Sequence, residues 1–135
     1  MKDKNKQNLG GSTTSTTRGT RQEVVINAEG KRIGRIAAEA AKVLRGKHLV
    51  SFRRDRIPEV SVKIENASKL RIDEKKLVQK RYSRYSGYPG GLRRERLEQV
   101  QSRLGPETIL RHAIHGMLPR NNSRAILMKR VTITK

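Results

Sequence analysis

The sequence has 135 residues, 33% of them hydrophobic, and a formal net charge of +20 from 32 Lys and Arg against 12 Asp and Glu. These values predict one domain with a small core, and the charge favours a polyanionic partner, above all nucleic acid, whose phosphates neutralise a surface that otherwise repels itself. The absence of cysteine excludes disulfides, thiol catalysis and Cys-ligated zinc. No apolar run reaches the ~18 residues that a membrane span needs, so we expect no membrane partner.

Residues 1–21 are rich in Lys, Ser and Thr, and Leu9 is their one bulky apolar residue after Met1. Such a composition cannot bury enough surface to offset the entropy of ordering, so it predicts a disordered basic tail. A secretory signal is excluded because the apolar h-region is missing. Without this tail, residues 22–135 keep a net charge of +16, and we expect them to form the binding domain.

The domain begins with E-V-V-I-N at Glu23–Asn27, which predicts a strand buried on both faces. A helix is predicted from Lys31 to Arg45, with Gly46 as its left-handed C-cap. Its apolar face, at 3.6-residue spacing, consists of Ile33, Ile36, Ala37, Ala40, Val43 and Leu44. The opposite face carries Lys31, Arg35, Lys42 and Arg45 beside a single acid, Glu39. This basic face is either solvated or turned toward RNA, and the scarcity of acids favours RNA.

Four further strands are predicted, at Leu49–Phe52, Val60–Glu65, Lys69–Ile72 and Leu77–Tyr82. The run R-Y-S-R-Y-S-G-Y-P-G-G, residues 81–91, then leads out of the sheet and holds all three tyrosines of the chain. Three-residue spacing cannot place them on one face of an extended segment, so at least one is expected to be exposed. We expect residues 87–91 to bend the chain so that Arg84, Tyr85 and Tyr88 contact RNA.

Helices are predicted for the C-terminal third, from Leu92 to Leu104 and, after a break at Gly105-Pro106, to Met117. The second helix has a clear apolar face formed by Ile109, Leu110, Ala113, Ile114 and Met117, with His112 and His115 on its polar side. A short helix, Arg124–Lys129 with Ser123 as N-cap, and a strand, Val131–Thr134, complete the chain. This order predicts an α/β fold, a three-layer α/β/α single domain with a small mixed sheet, preceded by the disordered basic tail.

Catalytic motifs are missing. Gly30 and Gly34 follow a strand but do not complete G-x-G-x-x-G, and neither a P-loop nor a Ser/His/acid set is present. Packed or solvated histidines are favoured over a metal site, because the histidines lie among cations without converging acids. We expect no enzyme activity, cofactor, metal or small-molecule substrate. An enzyme acting on nucleotides is an alternative, but it would need a nucleophile or metal cluster.

Arginine-rich loops recur along the chain: Arg53-Arg54 with Arg56, Arg81 with Arg84, Arg93-Arg94, and Arg120 with Arg124. The planar guanidinium gives paired hydrogen bonds to phosphate and stacks on bases, and tyrosine offers a flat face for an unstacked base. RNA is favoured over DNA because no helix-turn-helix, zinc-finger or basic-zipper pattern is visible. A regulatory RNA or DNA binder is the second hypothesis.

Three motifs, in order from Val24 to Ala125, resemble one family. V-V-I-N-A-E-G-K-R-I-G-R-I-A-A-E-A-A-K-V-L-R-G-K-H, R-Y-S-R-Y-S-G-Y-P-G-G-L and I-L-R-H-A-I-H-G-M-L-P-R-N-N-S-R-A are similar to segments of large-subunit ribosomal protein thirteen, the universal uL13 family, in its bacterial form. The chain departs from the family pattern at Asn27, where Asp is usual, in residues 51–58, which lack an acidic Gly-Asp turn, and in the loop after Pro119.

The resemblance implies a three-layer α/β domain that binds large-subunit rRNA of the 23S type in the cytoplasm and supports early subunit assembly. Its implied partners are that rRNA and neighbouring large-subunit proteins, with mRNA in a regulatory role as an additional candidate. The candidate RNA-binding residues, from the arginine loops and the motifs together, are Arg32, Arg35, Lys42, Arg45, Lys47, Arg53, Arg54, Arg81, Arg84, Tyr85, Ser86, Tyr88, Gly90, Arg120, Arg124 and Lys129.

Overall fold

A computed structural model of the protein describes residues 22–135, and the predicted tail, residues 1–21, lies outside them. The described residues form five strands and four α-helices. In chain order these are β1 (Gln22–Asn27), α1 (Ile33–Leu44), β2 (Val60–Glu65), α2 (Glu74–Gln79), β3 (Arg81–Tyr85), β4 (Leu92–Arg96), α3 (Leu97–Met117), α4 (Ser123–Lys129) and β5 (Val131–Ile133).

β1, β2 and β5 form a parallel sheet in that order, with Val24 opposite Val62 and Val62 opposite Val131. Both crossovers step across the sheet in the same direction, and right-handed crossovers therefore place α1 and α3 over the same face, where they pack together. Burial accordingly alternates along the strands. The prediction that β1 is buried on both faces is wrong, because Val25 lies on the face that these helices leave uncovered and is 41% exposed.

The main core lies between this sheet and the two helices. Ile36 and Leu44 of α1 meet Leu110 and Ile114 of α3 above the buried strand residues, and all four side chains are fully buried. Each such side chain contributes roughly 1.5–3 kcal/mol by leaving water. The hydrophobic spacing predicted both helical faces correctly, except that Met117 is exposed beyond the edge of the core.

α1 ends as predicted, at a glycine in the left-handed conformation. Gly46 has φ +69°, its N–H donates to the carbonyl of Val43 at 2.8 Å, and the N–H of Lys47 donates to Lys42 at 3.1 Å. This pair of bonds satisfies carbonyls at the end of the helix. A Cβ at Gly46 would also lie 2.8 Å from Cβ of Pro58, so the position holds the end of α1 against the following loop.

Two predicted strands near the middle of the chain are helical or turn structure instead. Leu49–Phe52 forms consecutive turns, with the Leu49 N–H donating to Gly46 at 2.9 Å. The first half of Leu77–Tyr82 belongs to α2, because Leu77 packs on the second small core cluster and its neighbours remain solvated, whereas Arg81 and Tyr82 begin β3. Lys69–Ile72 contributes only a single bridge, from Arg71 to Arg32.

The predicted helix at Leu92 begins five residues later, at Leu97, because Leu92–Arg96 pairs with β3 as an antiparallel hairpin. The α/β class, the single domain and the small sheet are confirmed. The parallel and antiparallel pairings fall into two separate sheets, since β3 and β4 pair with each other and not with the parallel strands.

The predicted break in α3 is confirmed. Gly105 has φ +79° and ψ 170°, and Pro106 begins the second helical half. Ser123 is the first residue of α4 and makes no cap hydrogen bond, so its predicted role as N-cap is wrong; Asn122 stands at that position. The last predicted strand is confirmed as β5.

We expect Gly46→Ala to lower the free energy of unfolding by about 1–3 kcal/mol, because alanine is strained at positive φ and its Cβ would clash with Pro58. Gly34→Ala is the matched control, since Gly34 lies within α1 and a Cβ there meets nothing within 4 Å. It should leave stability unchanged or raise it slightly. Urea denaturation of both variants measures the difference, and equal midpoints would contradict the expectation.

Candidate nucleic-acid interface

The tyrosine-rich run folds as β3 and the turn that joins it to β4. Gly87 has φ +92° and Gly90 has φ +77°, and the Gly91 N–H donates to the carbonyl of Tyr88 at 3.0 Å. Glycine adopts these conformations without the steric cost of a Cβ. The predicted bend at residues 87–91 is therefore confirmed, and it forms the tip of a hairpin.

The register of the hairpin places arginines directly opposite one another. Arg84 faces Arg93, and Arg81 faces Arg96. Like charges at directly opposite positions destabilise a two-stranded pair. Glu95 is the one acid of the two strands, and it already binds the Arg103 side chain at 2.6 Å. Within residues 22–135, these four facing arginines make no ion pair, so their positive charge is left for an external anion to neutralise.

The two faces of the hairpin differ in chemistry because side chains alternate along each strand. Tyr82 lies on the inner face, partly buried against His112 of α3 with ring centroids 5.4 Å apart. Burial raises the pKa of the Tyr82 hydroxyl. Tyr85 lies on the outer face and is 61% exposed, and Tyr88 at the tip is 75% exposed. The expectation that at least one tyrosine is exposed is confirmed.

Arg84 is the neighbour of Tyr85 in β3, so the two side chains leave opposite faces of the hairpin. An RNA that meets both residues must therefore contact both faces or the edge between them. Ser86 and Gly90, which are also candidate residues, lie exposed in the connecting turn.

A second group of candidate residues lines a cleft beyond the C-terminal end of α1. Arg45, Arg53 and Arg54 surround a hollow of about 230 Å³ together with Arg56, which was not among the candidates. We call this hollow the arginine cleft. Its remaining walls come from residues 52–58, from Pro119 and Asn121 in the loop after α3, and from Ser123 and Leu127 of α4.

Arg130 fixes one wall of the arginine cleft. Its guanidinium Nη1 donates a hydrogen bond to the carbonyl oxygen of Pro58, 72 residues earlier in the chain. Pro58 also stands against Gly46 at the end of α1. The loop that carries Arg53, Arg54 and Arg56 is therefore held at one end by the helix cap and by a charge-assisted hydrogen bond.

The other candidates are distributed around these two groups. Arg35 and Lys42 are exposed on α1, Lys47 follows its cap, and Lys129 is exposed at the end of α4. Arg32 lies 3.8 Å from the carboxylate of Asp73, so part of its charge is neutralised. Arg120 is exposed in the loop after α3, and Arg124 is half-buried at the start of α4; neither lines the arginine cleft.

The hairpin and the arginine cleft lie at opposite ends of α1. Tyr82 packs in the same small cluster as Ile33, the first residue of α1, whereas Arg45 directly follows its last residue. A helix of 12 residues is about 18 Å long. The structure thus brings the candidates together in two separate cationic surfaces.

Sequence reasoning missed Arg96, Phe52 and Arg130, and it left Arg93 and Arg56 out of the candidate set. The arginines of β4 could have been found, because a Pro-Gly-Gly turn between two Arg-containing runs indicates a hairpin. Phe52 and Arg130 carried no such signal, since their importance comes from contacts with distant parts of the chain.

No group of three or more His, Cys, Asp or Glu side chains that could hold a metal ion occurs within residues 22–135. Over the same residues, no helix has both the length and the apolar character to cross a membrane. His112 contacts Tyr82 instead of an acid.

Comparison with known proteins gives a consistent result. A family model described as Ribosomal protein L13 matches residues 21–135. The protein named large ribosomal subunit protein uL13 of Thermus thermophilus is 46% identical over 114 residues, which cover 82% of this chain and 78% of that protein. The proteins of the same name from a Synechococcus species and from Chlorobium phaeobacteroides are 43% and 41% identical, covering 85% and 84% of this chain and 76% and 75% of theirs.

Replacement of Tyr82 should lower the stability of the protein more than replacement of Tyr88. Tyr82→Ala should lower the free energy of unfolding by roughly 1–3 kcal/mol, because it removes a half-buried ring that holds the hairpin on α3. Tyr88→Ala, the control at an exposed tip position, should leave stability within about 0.5 kcal/mol of the wild type. Urea denaturation followed by circular dichroism provides both values, and a large loss in Tyr88→Ala would show that the tip is part of the core.

Proposed function

The chain belongs to the ribosomal protein L13 family, and on that premise we propose that residues 22–135 bind large-subunit rRNA and support early assembly of that subunit. Family membership makes the chain a protein of the large ribosomal subunit in the cytoplasm, and a structural component of it, not an enzyme. Its partners are accordingly rRNA and other ribosomal proteins. No feature of the described residues favours an mRNA partner.

The observation that carries the proposal is the hairpin of facing arginines. Folding places Arg84 opposite Arg93 and Arg81 opposite Arg96 without an acid to neutralise them. Two-stranded hairpins are marginal on their own, and like-charge pairs weaken them further. Phosphates remove this repulsion and release counterions at the same time. The arrangement is therefore favourable when bound to a polyanion and costly without one.

The exposed tyrosines can make a contact with unpaired RNA bases that a base-paired duplex cannot make. Tyr85 and Tyr88 present accessible rings beside these arginines. Unpaired RNA bases stack on such rings, and each stacked base contributes roughly 1–3 kcal/mol. The combination of cations and exposed aromatic rings supports binding to an RNA segment that includes unpaired nucleotides.

The separation of the two cationic surfaces supports a role in assembly. The hairpin and the arginine cleft are held about one helix length apart by α1 and its packing on α3. A rigid body with two phosphate-binding surfaces can hold two RNA segments at a fixed distance. That property suits a protein that joins the RNA before other components.

Binding to large-subunit rRNA should weaken steeply as salt rises. Replacing one phosphate-contacting arginine, as in Arg93→Gln, should reduce the slope of log affinity against log salt by about 1. Lys63→Gln is the matched control, because Lys63 already pairs with Glu65 at 3.0 Å on the sheet face that α1 and α3 leave uncovered. Filter binding at several salt concentrations measures the slopes. Affinity that is insensitive to salt would contradict the proposal.

Sedimentation separates this function from that of a regulator acting off the ribosome. The full chain should travel with large subunits in equal amounts through a high-salt gradient, because many contacts hold it there. A chain that is stripped off in the gradient while still binding RNA in isolation would support the regulator instead.

Arg93→Glu should stabilise the hairpin of the free protein and weaken its binding to RNA. The new carboxylate would face Arg84, and an opposite-charge pair across a hairpin contributes about 0.2–1 kcal/mol. Amide hydrogen exchange should therefore slow over residues 81–96 of the free variant. Its RNA affinity should fall, with the salt slope reduced by about 2. Tighter RNA binding together with a more stable hairpin would contradict the role assigned to the arginines.

A further inference from the structure

The arginine cleft combines two kinds of wall. Arg45, Arg53, Arg54 and Arg56 supply guanidinium groups, and no acidic side chain is among the residues that line the hollow. None of these four arginines forms an ion pair with another described residue. The cleft is therefore a concentrated site of positive charge within reach of a phosphate.

The other wall of the arginine cleft is apolar. Phe52 lines the hollow and is 37% exposed, and Ile57, Pro58 and Pro119 stand beside it. An exposed aromatic ring next to guanidinium groups is the chemistry on which an unstacked base lies flat. Phosphate alone would not need the ring, and an apolar ligand would not need the four arginines.

Size limits the occupant further. The hollow of about 230 Å³ is smaller than the ~300 Å³ at the lower end of small-molecule pockets. A second hollow of about 180 Å³ adjoins it; it shares Arg45, Phe52 and Pro58 as lining residues and is also lined by one acid, Glu59. A space of this size can hold one nucleobase. Paired bases cannot enter the hollow, because their faces are stacked inside the duplex.

Part of the wall is held in place by contacts within the chain. Pro58 is held by the guanidinium of Arg130 and by close contact with Gly46, and Leu127 at the base of the hollow is buried in the main core. A preformed site avoids the entropy of ordering a loop on binding.

We propose that the arginine cleft binds a single unpaired nucleotide of the RNA, with the base against Phe52 and its phosphate held by Arg53, Arg54 and Arg56. The proposal rests on the function proposed above and adds a defined binding mode at a defined place. It assigns Phe52, a residue without charge, a direct role in RNA binding.

The test compares full-length variants in binding to large-subunit rRNA. Phe52→Ala should weaken binding by about 5- to 100-fold with an unchanged salt slope, because it removes a stacked base but no charge. Val50→Ala is the matched control, since Val50 lies fully exposed in the same loop and outside the cleft. It should change affinity less than twofold. Circular dichroism and urea denaturation establish that each variant is folded.

A second measurement keeps the ring and so does not depend on the folding of Phe52→Ala. Benzoylphenylalanine placed at position 52 should crosslink under ultraviolet light to one nucleotide, mapped by reverse transcription. Chemical probing should show that this nucleotide is unpaired in the free RNA and protected in the complex. A probe at position 50 should not mark the same nucleotide.

Each contrary outcome has its own meaning. Wild-type protein that binds rRNA steeply with salt, while Phe52→Ala binds equally well or the crosslink maps within a duplex, overturns the nucleotide site and leaves the proposed function intact. Wild-type protein that does not bind rRNA overturns the proposed function itself.

Discussion

The packing of α1 on α3 over one face of the parallel sheet determines where the cations of this protein lie. Ala37 and Ala40 of α1 are fully buried, and their small side chains allow α3 to approach closely enough for Leu110 and Ile114 to fill the space. The hairpin joins the first half of α3, and the arginine cleft is built from segments that follow the two helices. A change in this one helix contact would therefore move the two cationic surfaces relative to each other.

Holding so many cations on so small a core leaves the free protein under electrostatic strain. The ion pairs formed within residues 22–135 all join partly exposed side chains, where such pairs contribute little. In the hairpin, which lacks a third strand, arginines face each other directly. An anion that binds only the native state stabilises it by mass action. The same arginines that reduce the stability of the free hairpin would therefore couple its ordering to the binding of an anion.

The sequence was sufficient to predict the structure where one physical rule dominated. Apolar residues at 3.6-residue spacing predicted α1 and its buried face, glycine at a helix end predicted the left-handed cap at Gly46, and Gly105-Pro106 predicted the break in α3. The sequence was insufficient where tertiary contacts decided. L-R-R-E-R at residues 92–96 has no alternating apolar face, because the hairpin is held by backbone pairing and by Tyr82, and only the partner strand shows that it is extended. The same holds for the candidate site. The arginine-rich runs predicted most of its cations, but they could not predict that residues 45, 53–56 and 119–123 lie together, because these residues meet only in the folded chain.

The three tyrosines show how a strand divides one run of sequence into two roles. Residues three apart on a strand point to opposite faces, so Tyr82 turns inward and Tyr85 outward, while Tyr88 lies beyond the strand at the tip. The inward ring rests on His112, a histidine that the sequence could describe only as packed or solvated. This aromatic contact and the ion pair between Glu95 and Arg103 of α3 together hold the hairpin on α3. The exposed arginines and tyrosines of the hairpin are thus positioned in part by an aromatic contact that makes no use of their charge.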